Sequence, residues 1–260
     1  MPETPETVLV TGASSGIGKV LAEIFAQDGS RLVLVARSAD KLEELAGQLR
    51  KQYGIATLVV SQDLSIPGAA DAVFLKLEQA GWNLDVLVNN AGFGAHGDFQ
   101  DVALDRQLAM IQLNVSALVH LTHRALPGMI ERRRGAILNV GSTAAFQPGP
   151  HAAIYFATKA FVLSFSEALW AEARPHNIGV TCLCPGPTRT NFGSEYNMTE
   201  SSGFQWTGME VVDVARAGHR ALRQGRRTVI PGFLNRLLAF LTRFAPRRLL
   251  IRAAGAFNRK

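Results

Sequence analysis

Short apolar runs alternate along the chain with longer segments whose apolar positions recur at helical spacing. Thr7–Val10 reads as a strand, Lys19–Asp28 as a helix, Arg31–Val35 as a strand and Ala39–Gln52 as a helix. Further strand-like runs follow at Ala56–Ser61, Val86–Val88, Ala136–Val140, Val180–Cys184 and Thr228–Ile230, with a long helical stretch at Val102–Ala125. Continuous apolar strands separated by helices predict βαβ units and a parallel sheet covered on both faces.

The 260 residues, 47% of them hydrophobic, suffice for one substantial core. No internal repeat, low-complexity stretch or long polar linker divides them. The expected layout is a polar, disordered lead over residues 1–6, an α/β domain over residues 7–232, and a basic amphipathic extension of the same domain over residues 233–260. The lead has no apolar core and does not read as a signal peptide. Cys182 and Cys184 share one face of a strand, a spacing poor for a disulfide or a zinc site, and read as small buried residues. The expected compartment is the cytoplasm.

Charge changes the picture only at the C-terminal end. The last acidic residue is Asp213, and residues 214–260 hold twelve Arg or Lys. The net charge of +6 is the balance of +12 there and −6 in residues 1–213. Within Phe233–Lys260, Leu237, Leu238, Phe240, Leu241, Leu249, Leu250 and Ile251 are interrupted by arginines. The segment falls short of the roughly 20 apolar residues that cross a bilayer. It could lie on an anionic membrane surface, pack across a subunit, roof an active site, or attract an acidic substrate carrier. Arginines at mixed spacings without a stacking surface are no nucleic-acid code. The six histidines form no convincing metal set; His120 and His123 could share a helix face, and His151 stands four residues before Tyr155.

Two motifs carry chemistry. Thr11-Gly12-Ala13-Ser14-Ser15-Gly16-Ile17-Gly18 joins the first strand to the first helix. Its glycines let the backbone approach a pyrophosphate, and the helix N-terminus offers free N–H groups and a favourable dipole. The second strand ends at Ala36-Arg37-Ser38, where an acid would chelate the adenosine ribose. The missing acid and the guanidinium of Arg37, with hydrogen bonds that Ser38 and either Ser14 or Ser15 could add, predict a 2′-phosphate and hence NADP(H) over NAD(H). Asp63-Leu64 could accept the adenine amino group or cap the next helix, and Asn89-Asn90-Ala91-Gly92 would let backbone pass beside the adenine ribose.

The second motif is Tyr155-x-x-x-Lys159, preceded by Ser142 at a strand end. A phenol is a poor acid–base group at neutral pH, and a lysine one turn away is expected to lower its pKa. Ser142 would hold the substrate oxygen within reach of the Tyr155 hydroxyl. Asn114 could bend its helix and hold a water next to Lys159.

With these motifs in this order and spacing, and with Pro185-Gly186 beyond them, the chain resembles the short-chain dehydrogenase/reductase family in its common single-domain form, from about residue 7 to about residue 192. The resemblance implies a doubly wound Rossmann-type sheet of seven parallel strands in the order 3-2-1-4-5-6-7. It implies a catalytic tetrad of Asn114, Ser142, Tyr155 and Lys159. It places Asp63 at the adenine, Asn90 and Gly92 beside its ribose, and Pro185-Gly186-Pro187-Thr188-Arg189-Thr190 at the nicotinamide, with Thr190 the side-chain contact. It also implies a homodimer or homotetramer through the helices that carry Leu113, Leu118, Leu121, Phe161, Phe165 and Trp170.

Substrate contacts are expected from Phe93, Gly94 and His96, from Ala144, Ala145 and Phe146, and from an apolar lid at about 192–210 with Phe192, Tyr196, Phe204 and Trp206. The leading expectation is an NADPH-dependent reductase of a lipophilic ketone, with Tyr155 as general acid and no nucleic-acid partner. A 3-oxoacyl thioester reductase is the alternative, its tail then recruiting an acidic carrier. A silent NADPH-binding sensor is the alternative of another class.

Overall fold

The run Thr7–Thr11 is buried at every position and forms the central strand β1 of the computed structural model, which describes residues 5–190 and 208–258. The glycine turn leads into α1 (Gly16–Gln27), followed by β2 (Arg31–Ala36), α2 (Ala39–Tyr53), β3 (Thr57–Ser61), α3 (Ala69–Gln79) and β4 (Val86–Asn89). Next come α4 (Leu104–Ile111), a π-helical turn (Gln112–Ala117) and α5 (Leu118–Arg132), which join into one long helical run as the apolar spacing predicts. Strand β5 (Gly135–Val140), a 3-10 turn (Thr143–Phe146), α6 (Ala153–Ala173) and β6 (Ile178–Leu183) complete the catalytic half.

Two short strands, β7 (Thr188–Arg189) and β8 (Met209–Glu210), pair with each other. They are followed by α7 (Val211–Arg223) and β9 (Thr228–Val229), and the tail folds as α8 (Phe233–Leu241) and α9 (Arg247–Asn258).

The seven strands of the main sheet run parallel in the order β3-β2-β1-β4-β5-β6-β9. This is the order expected from the sequence; the pair β7 and β8, not foreseen there, moves the edge strand Thr228–Val229 to ninth place in the chain. Val8 pairs with Leu32 on one side and Val86 on the other, so the chain reverses its direction of sheet growth beside β1. The crevice for a ligand in such a sheet opens at that switch point, beyond the carboxyl ends of β1 and β4.

Each face of the sheet is sealed. Val8, Val10, Leu32 and Leu34 point toward Leu21, Phe25, Leu42 and Leu49 of α1 and α2. Leu9, Val33, Leu87 and Ile137 point toward Val73, Leu121 and Met129 of α3 and α5. The alternation of side chains along each strand therefore feeds two cores, which is why the strands read as unbroken apolar runs. Leu87→Ala would cost about 2–5 kcal/mol at such a fully buried site.

Polar side chains inside the second core bond one another, with Asn89 Oδ1 alone among the buried side-chain oxygen and nitrogen atoms of the described residues left without a partner. Asn89 Nδ2 donates to Asn139 Oδ1 at 2.9 Å and to Thr122 Oγ1 at 3.1 Å, and Asn139 Nδ2 donates to Ser166 Oγ at 2.9 Å. These bonds tie β4 and β5 to the helices α5 and α6 that carry the candidate chemistry. Cys182 and Cys184 are both fully buried free thiols with their sulfurs 3.6 Å apart.

Candidate active site

At the switch point Thr11 acts as a hub. Its Oγ1 donates to the Val88 carbonyl at 3.1 Å and accepts the N–H groups of Asn90 and Ala91, both at 2.9 Å. Asn90 Nδ2 returns a bond to the Thr11 carbonyl at 2.9 Å. These contacts fix the ends of β1 and β4 side by side and open a cavity of about 1060 Å³ above them.

Along its floor lie Gly12, Ser14, Ser15, Gly16 and Ile17. Gly12 and Gly16 hold φ of +65° and +54°, conformations that a side chain would strain. Ser15 precedes α1 in extended conformation and makes no side-chain cap, so the first helical N–H groups face the cavity uncapped. Gly18 does not line the cavity. A Cβ there would stand 2.4 Å from both the Gly12 carbonyl oxygen and Asn90 Nδ2, so its role is to let the helix close onto the turn.

The adenosine end has Arg37, Ser38, Asp63 and Leu64 at the cavity edge, together with Lys41, which the sequence reading passed over. Lys41 stands in the first turn of α2, four residues after Arg37, a signal that was available. Asp63 Oδ1 accepts the Ser65 N–H at 2.8 Å and the Ser65 hydroxyl at 2.6 Å. Burial pushes its carboxyl up, but the Ser65 bonds and the Arg37 charge outweigh this and hold it below its ordinary value. Asp63 thus both caps its turn and borders the cavity.

The chemical end gathers Ser142, Tyr155 and Lys159. Ser142 precedes the 3-10 turn, accepts the Ala144 N–H at 3.1 Å and hydrogen-bonds the Tyr155 phenol. Tyr155 and Lys159 are nearly buried, at 8% and 6% exposure, and the Lys159 ammonium lies 5.9 Å from the phenol ring centre. Lys159 Nζ donates to the Val140 carbonyl at 2.8 Å.

The pKa consequences differ from the sequence expectation. Burial raises the Tyr155 phenol above its ordinary value, and the Ser142 bond opposes this without reversing it. Burial also pulls Lys159 down to about 8. The ammonium is turned toward Val140, and loss of hydration on both groups outweighs their mutual attraction.

Asn114 is buried on the π-helical turn, where its side chain is drawn out of the α-helical register. Its Nδ2 donates to the Phe93 carbonyl at 2.9 Å and to Thr158 Oγ1 at 3.1 Å, and its Oδ1 accepts the Phe93 N–H at 3.0 Å. The amide serves as a clamp between the β4 loop and α6. A Cβ on Gly92 would come within 2.9 Å of Asn114 Oδ1, so only glycine leaves room between the clamp and Lys159.

Pro185, Gly186, Thr188 and Thr190 form the opposite wall. Thr188 Oγ1 donates to the Gly186 carbonyl at 3.0 Å, and the Thr190 methyl lies beside Gly16. The cavity, the strained glycines, the uncapped helix end and the space kept open at Gly92 fit an extended dinucleotide.

Of the substrate residues expected from sequence, Phe93, His96 and Ala144 line the cavity, and Gly94 and Ala145 do not. Phe146 does not either; it packs against the group of Leu118, Val162 and Cys182, and Gln147 stands on the wall instead. Phe192, Tyr196, Phe204 and Trp206 lie outside the described residues. His151 does not line the cavity: it holds a left-handed φ of 62°, and its Nδ1 contacts Asp98 Oδ1 at 2.6 Å. His120 pairs with Asp71 on the surface.

The tail supplies the rest. Leu234, Leu238, Leu250, Ala254 and Phe257 of α8 and α9 form an apolar wall of the same cavity. Of the four uses open to the tail from sequence, roofing the site is the one this geometry displays. Helix α8 sits directly on the wall of Pro185 and Gly186: a Cβ at Gly186 would stand 2.4 Å from Asn235 Nδ2, whose bond to the Pro231 carbonyl is 2.9 Å. The end of α9 is latched by Asn258, which donates to the Pro150 carbonyl at 2.9 Å, while its own carbonyl meets the His96 ring. Asn235 and Asn258 carried no signal in the sequence beyond their place in an amphipathic segment.

A family model for short chain dehydrogenases matches residues 6–201. A very-long-chain 3-oxoacyl-CoA reductase from Anas platyrhynchos is 38% identical over 183 residues, 68% of this chain and 58% of that relative. The chain therefore spans less than two thirds of that relative's length. A short-chain dehydrogenase from Sphingobium yanoikuyae, solved in complex with NADPH, superposes with a TM-score of 0.82 at 36% identity over 90% of this chain and 92% of the other. A 7beta-hydroxysteroid dehydrogenase superposes with a TM-score of 0.87 at 28% identity over 96% of both chains.

Proposed function

From the premise that the chain belongs to the short-chain dehydrogenase family, we propose that it is an NADPH-dependent reductase whose substrate is a long-chain 3-oxoacyl thioester. The observation that carries the substrate class is the apolar wall of Leu234, Leu238, Leu250 and Phe257 across the cavity that also holds Ser142 and Tyr155. Such a wall suits an acyl chain and offers nothing to a sugar. The very-long-chain 3-oxoacyl-CoA reductase at 38% identity supports the same class. A free bulky ketone is the second reading, favoured by the likeness to the 7beta-hydroxysteroid dehydrogenase.

When bound, the reduced nicotinamide supplies the hydride. The residues of this chain do the remainder. Ser142 and Tyr155 already share a hydrogen bond, so a carbonyl oxygen placed between them accepts from both hydroxyls. Tyr155, held protonated by burial, gives its proton to that oxygen as charge develops there. Lys159, whose ammonium lies 5.9 Å from the phenol ring centre, would stabilise the phenolate left behind and would be the residue to hold the nicotinamide ribose. Asn114 positions the loop at Phe93 and the helix at Thr158 on either side of Lys159.

Arg37 and Lys41 at the cavity edge support a preference for the 2′-phosphate of NADP(H), as does the NADPH complex of the Sphingobium relative. Exposed Leu104, Leu108, Ile111 and Phe161 on α4 and α6 support a homo-oligomer. NADPH oxidation should be measured with 3-oxoacyl thioesters of increasing chain length and with free ketones of matched size. Turnover rising with acyl length supports the thioester. Turnover of free ketones alone selects the second reading, and binding of NADPH with no turnover of either would point to a sensor.

A further inference from the structure

The tail helices α8 and α9 carry two sets of apolar side chains, and only one set is used by the cavity. Leu234, Leu238, Leu250, Ala254 and Phe257 recur at helical spacing toward the inside. The other stripe, Phe233, Leu237, Phe240, Phe244, Leu249 and Ile251, lines no part of the cavity. Its members are 40–72% exposed, with Phe233 at 72% and Phe244 at 71%. Ten of the eighteen large hydrophobic residues exposed among the described residues fall within 233–257, so this is a patch and not scatter.

Arg236, Arg243, Arg247, Arg248 and Arg252 are interleaved with that stripe and exposed. Among the described residues none of the five forms an ion pair, and residues 214–260 contain no acid. Apolar side chains rimmed by unpaired arginines match the boundary between acyl chains and anionic headgroups. A second copy of the same face would bring two sets of five positive charges together. An acidic protein surface would satisfy the arginines but leave six large apolar groups without a counterpart. No helix among the described residues is long and apolar enough to cross a membrane, so the face would lie on the lipid.

We propose that the exposed apolar and arginine side chains of α8, α9 and the turn between them that line no part of the cavity dock this protein on an anionic lipid surface. The cavity wall is then only one helix thickness, about 10 Å, from the lipid boundary. Given the lipophilic substrate proposed above, docking would present the substrate to the cavity from its own phase; that consequence rests on the proposed function, whereas the docking does not.

Sedimentation with vesicles of phosphatidylcholine, and of phosphatidylcholine mixed with phosphatidylglycerol, tests this directly. The wild type should bind the mixed vesicles and bind pure phosphatidylcholine more weakly. A Phe240→Ser/Phe244→Ser variant should lose binding to both. An Arg243→Gln/Arg247→Gln/Arg248→Gln variant should lose binding to the mixed vesicles by roughly fivefold per arginine, with little change on phosphatidylcholine. None of these residues lines the cavity, so turnover of a small water-soluble ketone and the circular dichroism spectrum should remain at wild-type levels. Absence of vesicle binding by the wild type overturns the proposal, as does binding that neither variant weakens. A lipid-free oligomer dissociated by the phenylalanine variant, with no vesicle binding, would assign the face to a second copy. Failure to reduce acyl thioesters would bear on the substrate alone and leave the sedimentation result standing.

Discussion

Asn114 grips the backbone of Phe93 in both directions, accepting its N–H at 3.0 Å and donating to its carbonyl at 2.9 Å. A third bond, to Thr158 Oγ1, reaches the helix that carries Tyr155 and Lys159. One amide thus couples the loop after β4 to α6, and the π-helical turn is the local rearrangement that brings it there.

Asn114→Ala removes all three bonds and leaves a buried Thr158 hydroxyl and the Phe93 backbone to find other partners. Stability should fall by about 1–3 kcal/mol, measured by urea unfolding. The maximum rate with saturating NADPH should fall further than cofactor affinity, because the clamp acts on the geometry around Lys159. An affinity loss with an unchanged rate would assign Asn114 to cofactor binding instead.

The sheet was legible because its inner strands are buried on both faces, so their residues are mostly apolar. Ser142, Tyr155 and Lys159 were legible because their spacing is local. Phe146 was misplaced because a loop after a strand does not reveal in sequence which side chains turn inward; Ala144 and Gln147 meet the cavity while Phe146 packs against Leu118, Val162 and Cys182. The tail's amphipathic spacing was visible, but two opposed apolar stripes look alike in sequence. Only packing against Gly186 and Pro150 distinguishes the stripe that meets the cavity from the one that faces outward. The direction of the Tyr155 shift was misread because burial of both partners cannot be seen from a four-residue interval.

Arg37, before α2, and Lys41, in its first turn, both line the cavity at the end proposed for the adenosine. Arg37→Ala and Lys41→Ala should each weaken NADPH binding by about 1–3 kcal/mol, the range for charge-assisted bonds, and leave NADH nearly unchanged. Titration calorimetry with both cofactors reads the difference. Equal losses for NADPH and NADH would make these residues structural.

Tyr155→Phe keeps the ring in its buried place and removes only the hydroxyl that meets Ser142. Turnover should fall by at least the ~10²–10⁴-fold range of general acid catalysis, while NADPH binding survives. Retention of near wild-type turnover would require another proton donor in the cavity.

Lys159 gives a pH signature through stability. Burial lowers its folded-state pKa from 10.5 to about 8, so the folded protein releases this proton before the unfolded chain does. Below pH 8 both states hold the proton and the buried charge is a fixed cost. Between about pH 8 and 10 the unfolded chain binds more protons, and stability should rise, on the order of 2 kcal/mol over the window. Tyr155 opposes this only higher up: its raised pKa means the unfolded chain loses the phenol proton first, so its contribution falls as pH passes 10. Urea unfolding at pH 8, 9 and 10 should therefore show the wild type gaining stability relative to Lys159→Met, which has nothing to titrate at that position. Parallel curves for the two proteins would mean that Lys159 stays protonated across the window, its ammonium held by the Val140 carbonyl more firmly than burial disfavours it.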